Sequence, residues 1–205
     1  MPATPQTTAG LVLVCVLGAV AGYLLGAVNP AAIIARVRGA DLRGTGSGNP
    51  GATNAARTMG VKVGVLVGVL DVLKGFLPAV AFGAIAPMAG YAAGFAAVVG
   101  HITSPFLRGH GGKGVATALG AILGTTPVWV VPVLVVFAVV VLVTRRVGLG
   151  AVAGSLTLIP AALVYHPETG GIAFAFALAG LVVVRHRRNL AAAVAARRGP
   201  VDPPG

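Results

Sequence analysis

Long apolar runs, separated by short polar islands, make up most of this 205-residue chain. Seven runs stand out: Gly10 to Ala35, Val61 to Ala86, Met88 to Gly100, Val115 to Gly124, Pro127 to Thr144, Leu149 to Tyr165 and Gly171 to Val184. A helix needs about 20 residues to cross the hydrocarbon, so the third and fourth runs must borrow flanking residues or shelter among neighbours. A five-span bundle is the alternative. The pattern predicts an all-α integral membrane protein with about seven transmembrane helices. Residues 1–198 form a single polytopic membrane domain on this reading, and residues 199–205 form a disordered tail. Ala191 to Arg198 is expected to extend a helix along the inner surface. The first run is long and lacks a positively charged n-region before it, so it reads as a retained helix rather than a cleaved signal.

Composition supports lipid as the solvent. Hydrophobic residues make up 57% and charged residues 9%, against about a quarter charged in an ordinary soluble domain. Charge placement sets the expected orientation. With the N-terminus outside and the C-terminus cytoplasmic, fourteen of the fifteen Lys and Arg residues fall in inward loops, as the positive-inside rule requires. Omitting either short span would invert part of the chain and scatter arginines outside. The net charge of +11 therefore points to anionic lipid headgroups. It does not point to nucleic acid, since no aromatic platform accompanies it. The remaining base, Lys74, lies mid-span three residues after Asp71, close enough for an ion pair on one helix face. The single cysteine, Cys15, lies inside the first run and reads as a packing residue.

Three polar islands fall at the ends of inward-facing spans. In the first, Gly46-Ser47-Gly48-Asn49-Pro50-Gly51-Ala52-Thr53-Asn54 leads to Arg57. Its glycines permit an anion-binding nest of N–H groups, to which Ser47, Asn49, Thr53 and Asn54 add side-chain donors. The second, Gly111-Gly112-Lys113-Gly114-Val115-Ala116-Thr117, fails as a nucleotide-binding loop. Leu107 and Gly114 stand where that motif needs glycine and Ser/Thr. It does place Lys113 on a flexible track before a helix N-terminus. The third, Arg185-His186-Arg187-Arg188-Asn189, sets His186 and Asn189 on one face if the last helix continues. Read singly, each island also fits a turn or a basic stop-transfer flank. Together they supply glycines, cations, hydroxyls, an imidazole and a carboxamide with almost no carboxylate, a set suited to phosphate. No metal is expected, because the histidines and four acidic residues lack ligand spacing. No cofactor is expected either.

In order along nearly its whole length, the chain resembles the bacterial acyl-phosphate:glycerol-3-phosphate acyltransferases of the PlsY type. The matching segments are Gly22-Tyr23-Leu24-Leu25-Gly26, the first island with Arg57-Thr58-Met59-Gly60, Asp71-Val72-Leu73-Lys74-Gly75, Gly100-His101, and the second and third islands. The resemblance implies a multi-pass protein of the bacterial plasma (inner) membrane with its active site facing the cytoplasm. It implies transfer of a fatty acyl group from acyl phosphate to the 1-hydroxyl of sn-glycerol 3-phosphate. The products are lysophosphatidic acid and phosphate, and the acyl phosphate comes from a separate phosphate:acyl-carrier-protein acyltransferase. By similarity His186, Asn189 and Lys113 are the catalytic candidates. Ser47, Arg57, Lys113, Asn49, Thr53, Asn54, Gly111 and Gly112 are candidates for substrate phosphate binding, and Asp71 with Lys74 for a structural ion pair.

The chain departs from the family pattern at several points. Ala27 follows Gly26 where serine is usual, and Gly109-His110 replaces Phe-Lys. His101-Ile102-Thr103-Ser104-Pro105 moves a proline by one position. After the fifth run Arg145-Arg146-Val147-Gly148 has no serine, and no hydroxyl follows before Ser155. The competing reading is a diverged membrane transporter or binding protein for phosphate or glycerol phosphate. Against it, the polar residues gather at one face and no internal repeat is visible.

Overall fold

A computed structural model describes residues 7–166 and 168–195. The predicted tail, together with Arg197 and Arg198, lies outside the described residues. Regular structure among the described residues is helical: α1 Thr8–Ala27, α2 Pro30–Val37, α3 Ala52–Met59, α4 Val61–Gly83, α5 Pro87–Thr103, α6 Val115–Thr125, α7 Val130–Thr144, α8 Val147–Leu156, α9 Leu158–Tyr165, α10 Thr169–Arg185 and α11 Arg187–Ala195. Short 3-10 turns at Pro105–Leu107 and Pro127–Trp129 precede the second island and α7.

Four stretches are long and apolar enough to span a membrane: Thr8–Val37, Val61–Gly83, Pro127–Thr144 and Val147–Tyr165. A fifth joins α10 and α11 across a 55° bend. The protein is thus multi-pass, and among the described residues it is all-helical with four to five candidate spans. Helices α5 and α6 are shorter, 17 and 11 residues, or about 26 and 16 Å at 1.5 Å per residue.

Two stretches that read as continuous helices are broken, one inside the first apolar run and one in the third polar island. The first ends α1 at Ala27, because Pro30 offers no N–H and fits only the first turn of a new helix. Asn29 caps that helix, its Oδ1 accepting from the Ala32 N–H at 2.8 Å. The break frees the Val28 carbonyl, and buried Lys74 on α4 donates to it at 2.7 Å. Lys74 also lies 2.9 Å from Asp71 Oδ1. The predicted ion pair therefore forms, and it satisfies an interrupted helix end inside the bundle. At the C-terminal end the helix does not run straight through His186. It turns there, with α11 beginning at Arg187.

Packing relies on small residues. Helix α1 lies along α5, where Gly22 and Gly26 press on the backbone carbonyls of Ala93 and Ala97. Gly100 answers from α5, with the space for a side chain blocked by the Tyr23 carbonyl. Helix α4 meets α6 in the same way at Gly75 and Gly120. Such contact lets backbones approach where lipid offers no hydrophobic drive for helix association. The large side chains gather elsewhere: Trp129, Tyr91 and Phe174 sit with residues of α6, α9 and α10 in one apolar cluster.

Candidate active site

A cavity of about 610 Å³ opens between α3, α6, α7, α8 and α10. Ser47, Asn49, Thr53 and Arg57 line one side of its polar end, and Lys113, His186 and Asn189 another. Residues from all three islands therefore share one site. Thr53 and Arg57 are four apart on α3 and present a common face. The N-termini of α3 and α6 also border the cavity, through Gly51 and Ala52 and through Gly114 and Val115. Both add positive potential for an anion.

Lys113 and Asn189 are in direct contact, with Nζ donating to Oδ1 at 2.7 Å. The Lys113 ammonium is held below the ordinary lysine range, by burial first and then by the charges of Arg185 and Arg57. The ring of His186 is 2% exposed, and its Nδ1 lies 2.8 Å from the Val182 carbonyl. With Nδ1 donating there, Nε2 is left as an acceptor.

Three readings from the sequence need correction. The first island presents fewer free N–H groups than a full nest, because three of them are taken within the loop. Gly46 and Gly48 do adopt positive φ, 60° and 65°. However, the Ser47 N–H donates to Asn54 Oδ1, Gly48 N–H to the Thr45 carbonyl and Gly51 N–H to the Asn49 carbonyl. Asn54 is also not a donor to ligand. It is buried, and its Nδ2 donates to the carbonyls of Leu42 and Thr45 at 2.9 and 3.2 Å, so it organises the loop. Gly111 and Gly112 stand behind the cavity wall, with their N–H groups on the carbonyls of Ile102 and His101 at 2.9 and 3.1 Å. No side chain fits at Gly112, where His101 Nε2 lies against the backbone. Their part is to seat the lysine loop on His101.

The sequence of the chain matches a family model described as "Glycerol-3-phosphate acyltransferase" over residues 16–196. The chain belongs to the glycerol-3-phosphate acyltransferase family. A relative of that name from Geobacter sulfurreducens is 41% identical, over 85% of this chain and 91% of the relative. Glycerol-3-phosphate acyltransferase 1 of Deinococcus radiodurans is 40% identical over 88% and 92%. Among solved structures, PlsY, an integral membrane glycerol 3-phosphate acyltransferase in its glycerol 3-phosphate form, superposes with a TM-score of 0.85. It is 34% identical and covers 89% of this chain and 93% of that one. Its lysophosphatidic acid form gives 0.83 at 33% identity.

Several polar residues of this acyltransferase-family chain were not assigned to the site from sequence. Asp71 lines the cavity, and His101 Nδ1 lies 3.4 Å from its Oδ1. Arg185 donates to the Gly112 carbonyl at 3.1 Å, tying α10 to the lysine loop. Arg43 links the first island to the residue just before the second, donating to the carbonyls of Gly48 and His110. Beside it, Asp41 accepts from the N–H groups of Gly44 and Arg43, which hold its carboxyl below the usual range. Arg145 and Arg146 border the cavity from the α7–α8 turn. The signal for the arginines was present in the sequence as loop charge, but loop charge alone does not distinguish a pocket from a lipid surface.

Proposed function

We propose that the protein transfers a fatty acyl group from acyl phosphate to the 1-hydroxyl of sn-glycerol 3-phosphate, releasing lysophosphatidic acid and inorganic phosphate as an early step of phospholipid synthesis. Membership of the family supports the glycerol 3-phosphate acyl transfer. One observation carries the choice of donor: the cationic, hydroxyl-bearing end of the cavity continues into an apolar groove lined by Leu119, Ile122, Val133, Phe137 and Leu158. That groove suits a ligand with a phosphate head and a hydrocarbon tail, beside a second, fully polar ligand.

Ser47, Arg57 and Lys113 hold substrate phosphate, with Asn49 and Thr53 at the wall. Asn189 fixes Lys113. The 1-hydroxyl attacks the acyl carbonyl, a new C–O ester bond forms, and the bond from carbonyl carbon to phosphate oxygen breaks. Negative charge moves onto the departing phosphate, where Arg57, Lys113 and the two helix N-termini stabilise it most. The hydroxyl proton leaves to a phosphate oxygen of the donor, with His186 Nε2 accepting a hydrogen bond at the pocket wall. No cofactor takes part.

In the proposed topology seven helical segments cross the bacterial plasma membrane, with the N-terminus outside and the site cytoplasmic. The positive-inside distribution supports this parity. A separate phosphate:acyl-carrier-protein acyltransferase supplies the donor. Purified protein given palmitoyl phosphate and radiolabelled glycerol 3-phosphate without metal is expected to label lysophosphatidic acid. Palmitoyl-CoA should not replace the donor, and Lys113→Ala should lose the product. Equal product from palmitoyl-CoA would refute the donor assignment.

A further inference from the structure

Arg145 and Arg146 play no part in the reaction as described. They form the turn between α7 and α8, Arg145 in the left-handed region at φ 57° and Arg146 at the N-cap of α8. Both are exposed and both line the cavity. Neither side chain makes a hydrogen bond or ion pair among the described residues. A juxtamembrane arginine ordinarily meets lipid headgroups. This pair differs because it stands at the head of the apolar groove. Val133, Leu134 and Phe137 line that groove on the helix that ends at Arg145, and Leu149 and Leu158 line it on the helical stretch that starts after Arg146. From Val133 to Arg145 the wall rises about 18 Å at 1.5 Å per residue. An amphiphile with its tail along this strip has its headgroup at the arginine turn.

The strip offers that headgroup no hydroxyl between Thr144 and Ser155. Where a side chain would begin at Gly148, the Asn189 amide fills the space, with Nδ2 2.6 Å from the site of the missing Cβ. The start of α8 therefore supplies no side-chain donor except the arginines. A guanidinium fork matches two phosphate oxygens with parallel N–H bonds. We infer that Arg146, assisted by Arg145, grips the phosphate of the acyl donor in this chain from the α7–α8 side, while Arg57 and Lys113 reach it from the wall on which glycerol 3-phosphate rests. This rests on the reading that the tailed substrate is an acyl phosphate.

The test uses the full-length protein in detergent, as wild type, Arg146→Ala, Arg146→Lys and the double Arg145→Ala/Arg146→Ala. Two readouts are taken: KM for palmitoyl phosphate and for glycerol 3-phosphate, and the Kd of hexadecylphosphonate, which cannot transfer an acyl group. Arg146→Ala is expected to raise the palmitoyl phosphate KM and the phosphonate Kd about tenfold. That is the lower end for a hydrogen bond to a charged group, as suits an exposed one. The double variant should exceed it, and Arg146→Lys should fall between. The glycerol 3-phosphate KM should stay within about twofold, as should binding of uncharged hexadecanol, which reports an intact groove. An unchanged palmitoyl phosphate KM, an equal rise in both KM values, or a matching loss of hexadecanol binding would overturn the inference. If wild type transfers no acyl group yet binds the phosphonate through Arg146, the proposed reaction fails and this subsite stands. If transfer proceeds and phosphonate affinity ignores both arginines, the reverse holds.

Discussion

Lys113 enters the cavity from a glycine-rich loop, and a single bond orients its flexible side chain: Nζ to Asn189 Oδ1 at 2.7 Å. A hydrogen bond to a charged group contributes about 1.5–3 kcal/mol. Both partners are half-buried, so the lower figure applies, and about 1.4 kcal/mol corresponds to tenfold in an equilibrium constant. Asn189→Ala is therefore expected to lower kcat/KM for glycerol 3-phosphate about tenfold in the radiolabel assay. Asn189→Asp discriminates between roles. A carboxylate there keeps an acceptor for Lys113 but neutralises the cation and repels the incoming phosphate, so its loss should exceed that of Ala. If the bond served only to hold the fold, Asp would do better than Ala. Combined with Lys113→Ala, either change should add little, because the two residues act as one unit. Additive losses, or an Asp variant more active than Ala, would refute the reasoning.

Gly26→Val places a side chain where even a Cβ would lie 2.7 Å from Ala97 Cα. Overpacking of about 1–3 kcal/mol should lower the thermal midpoint in detergent, and an unchanged midpoint would contradict the α1–α5 packing. Lys74→Met strands buried Asp71 without its 2.9 Å partner. It should cost about 3–5 kcal/mol, and the double variant with Asp71→Asn should cost less; equal losses would argue against coupling. Because the Lys113 ammonium titrates below the ordinary lysine range, its charge is lost at a lower pH than that of an exposed lysine as pH rises. The KM for glycerol 3-phosphate should then climb on the alkaline side, and Lys113→Arg should flatten that limb, since arginine stays charged. His186→Gln should retain more than about a tenth of activity, because loss of an obligatory base costs about 10²–10⁴-fold; a deeper loss with intact folding would make His186 the proton acceptor.

The membrane class and the convergence of the three islands were legible because each rests on local chemistry. Apolar runs need lipid, and Gly, Asn, Lys and Arg clusters at their ends need a polar site. What the sequence hid was how each donor is used. Asn54 and Ser47 look like ligand donors in one dimension, yet the loop consumes the Asn54 carboxamide and the Ser47 N–H to hold itself together, leaving the Ser47 side chain at the cavity wall. A turn built from positive-φ glycines exposes donors only if its own carbonyls do not capture them. Likewise Asp71 and Lys74 announced an ion pair by spacing, but the carbonyl it serves, Val28, is 46 residues away and appears only once Pro30 breaks the first helix. The partner of His101 was hidden for the same reason. The link from His101 to Asp71 joins two helices.

The departures from the family pattern fall into a spatial order that their sequence positions conceal. Ala27 lacks the usual serine hydroxyl, but Ser104, itself part of the altered Thr103-Ser104-Pro105 segment, donates to the Ala27 carbonyl at 2.6 Å. One departure thus brings a hydroxyl onto the backbone of the residue where the other removes one. His110 departs from the pattern, yet Arg43 engages its backbone carbonyl, which any residue would provide. Gly148 lacks a serine, and the vacated volume lies against Asn189, the partner of Lys113. The changes therefore touch the supports of the site and the α7–α8 wall, while Ser47, Arg57, Lys113, His186 and Asn189 remain together around one cavity. On the proposed acyl-phosphate reading, divergence confined in this way retunes how the tailed donor is gripped without dismantling the wall assigned to glycerol 3-phosphate. On these grounds altered preference among acyl donors is the expected consequence, and a change of acceptor is not.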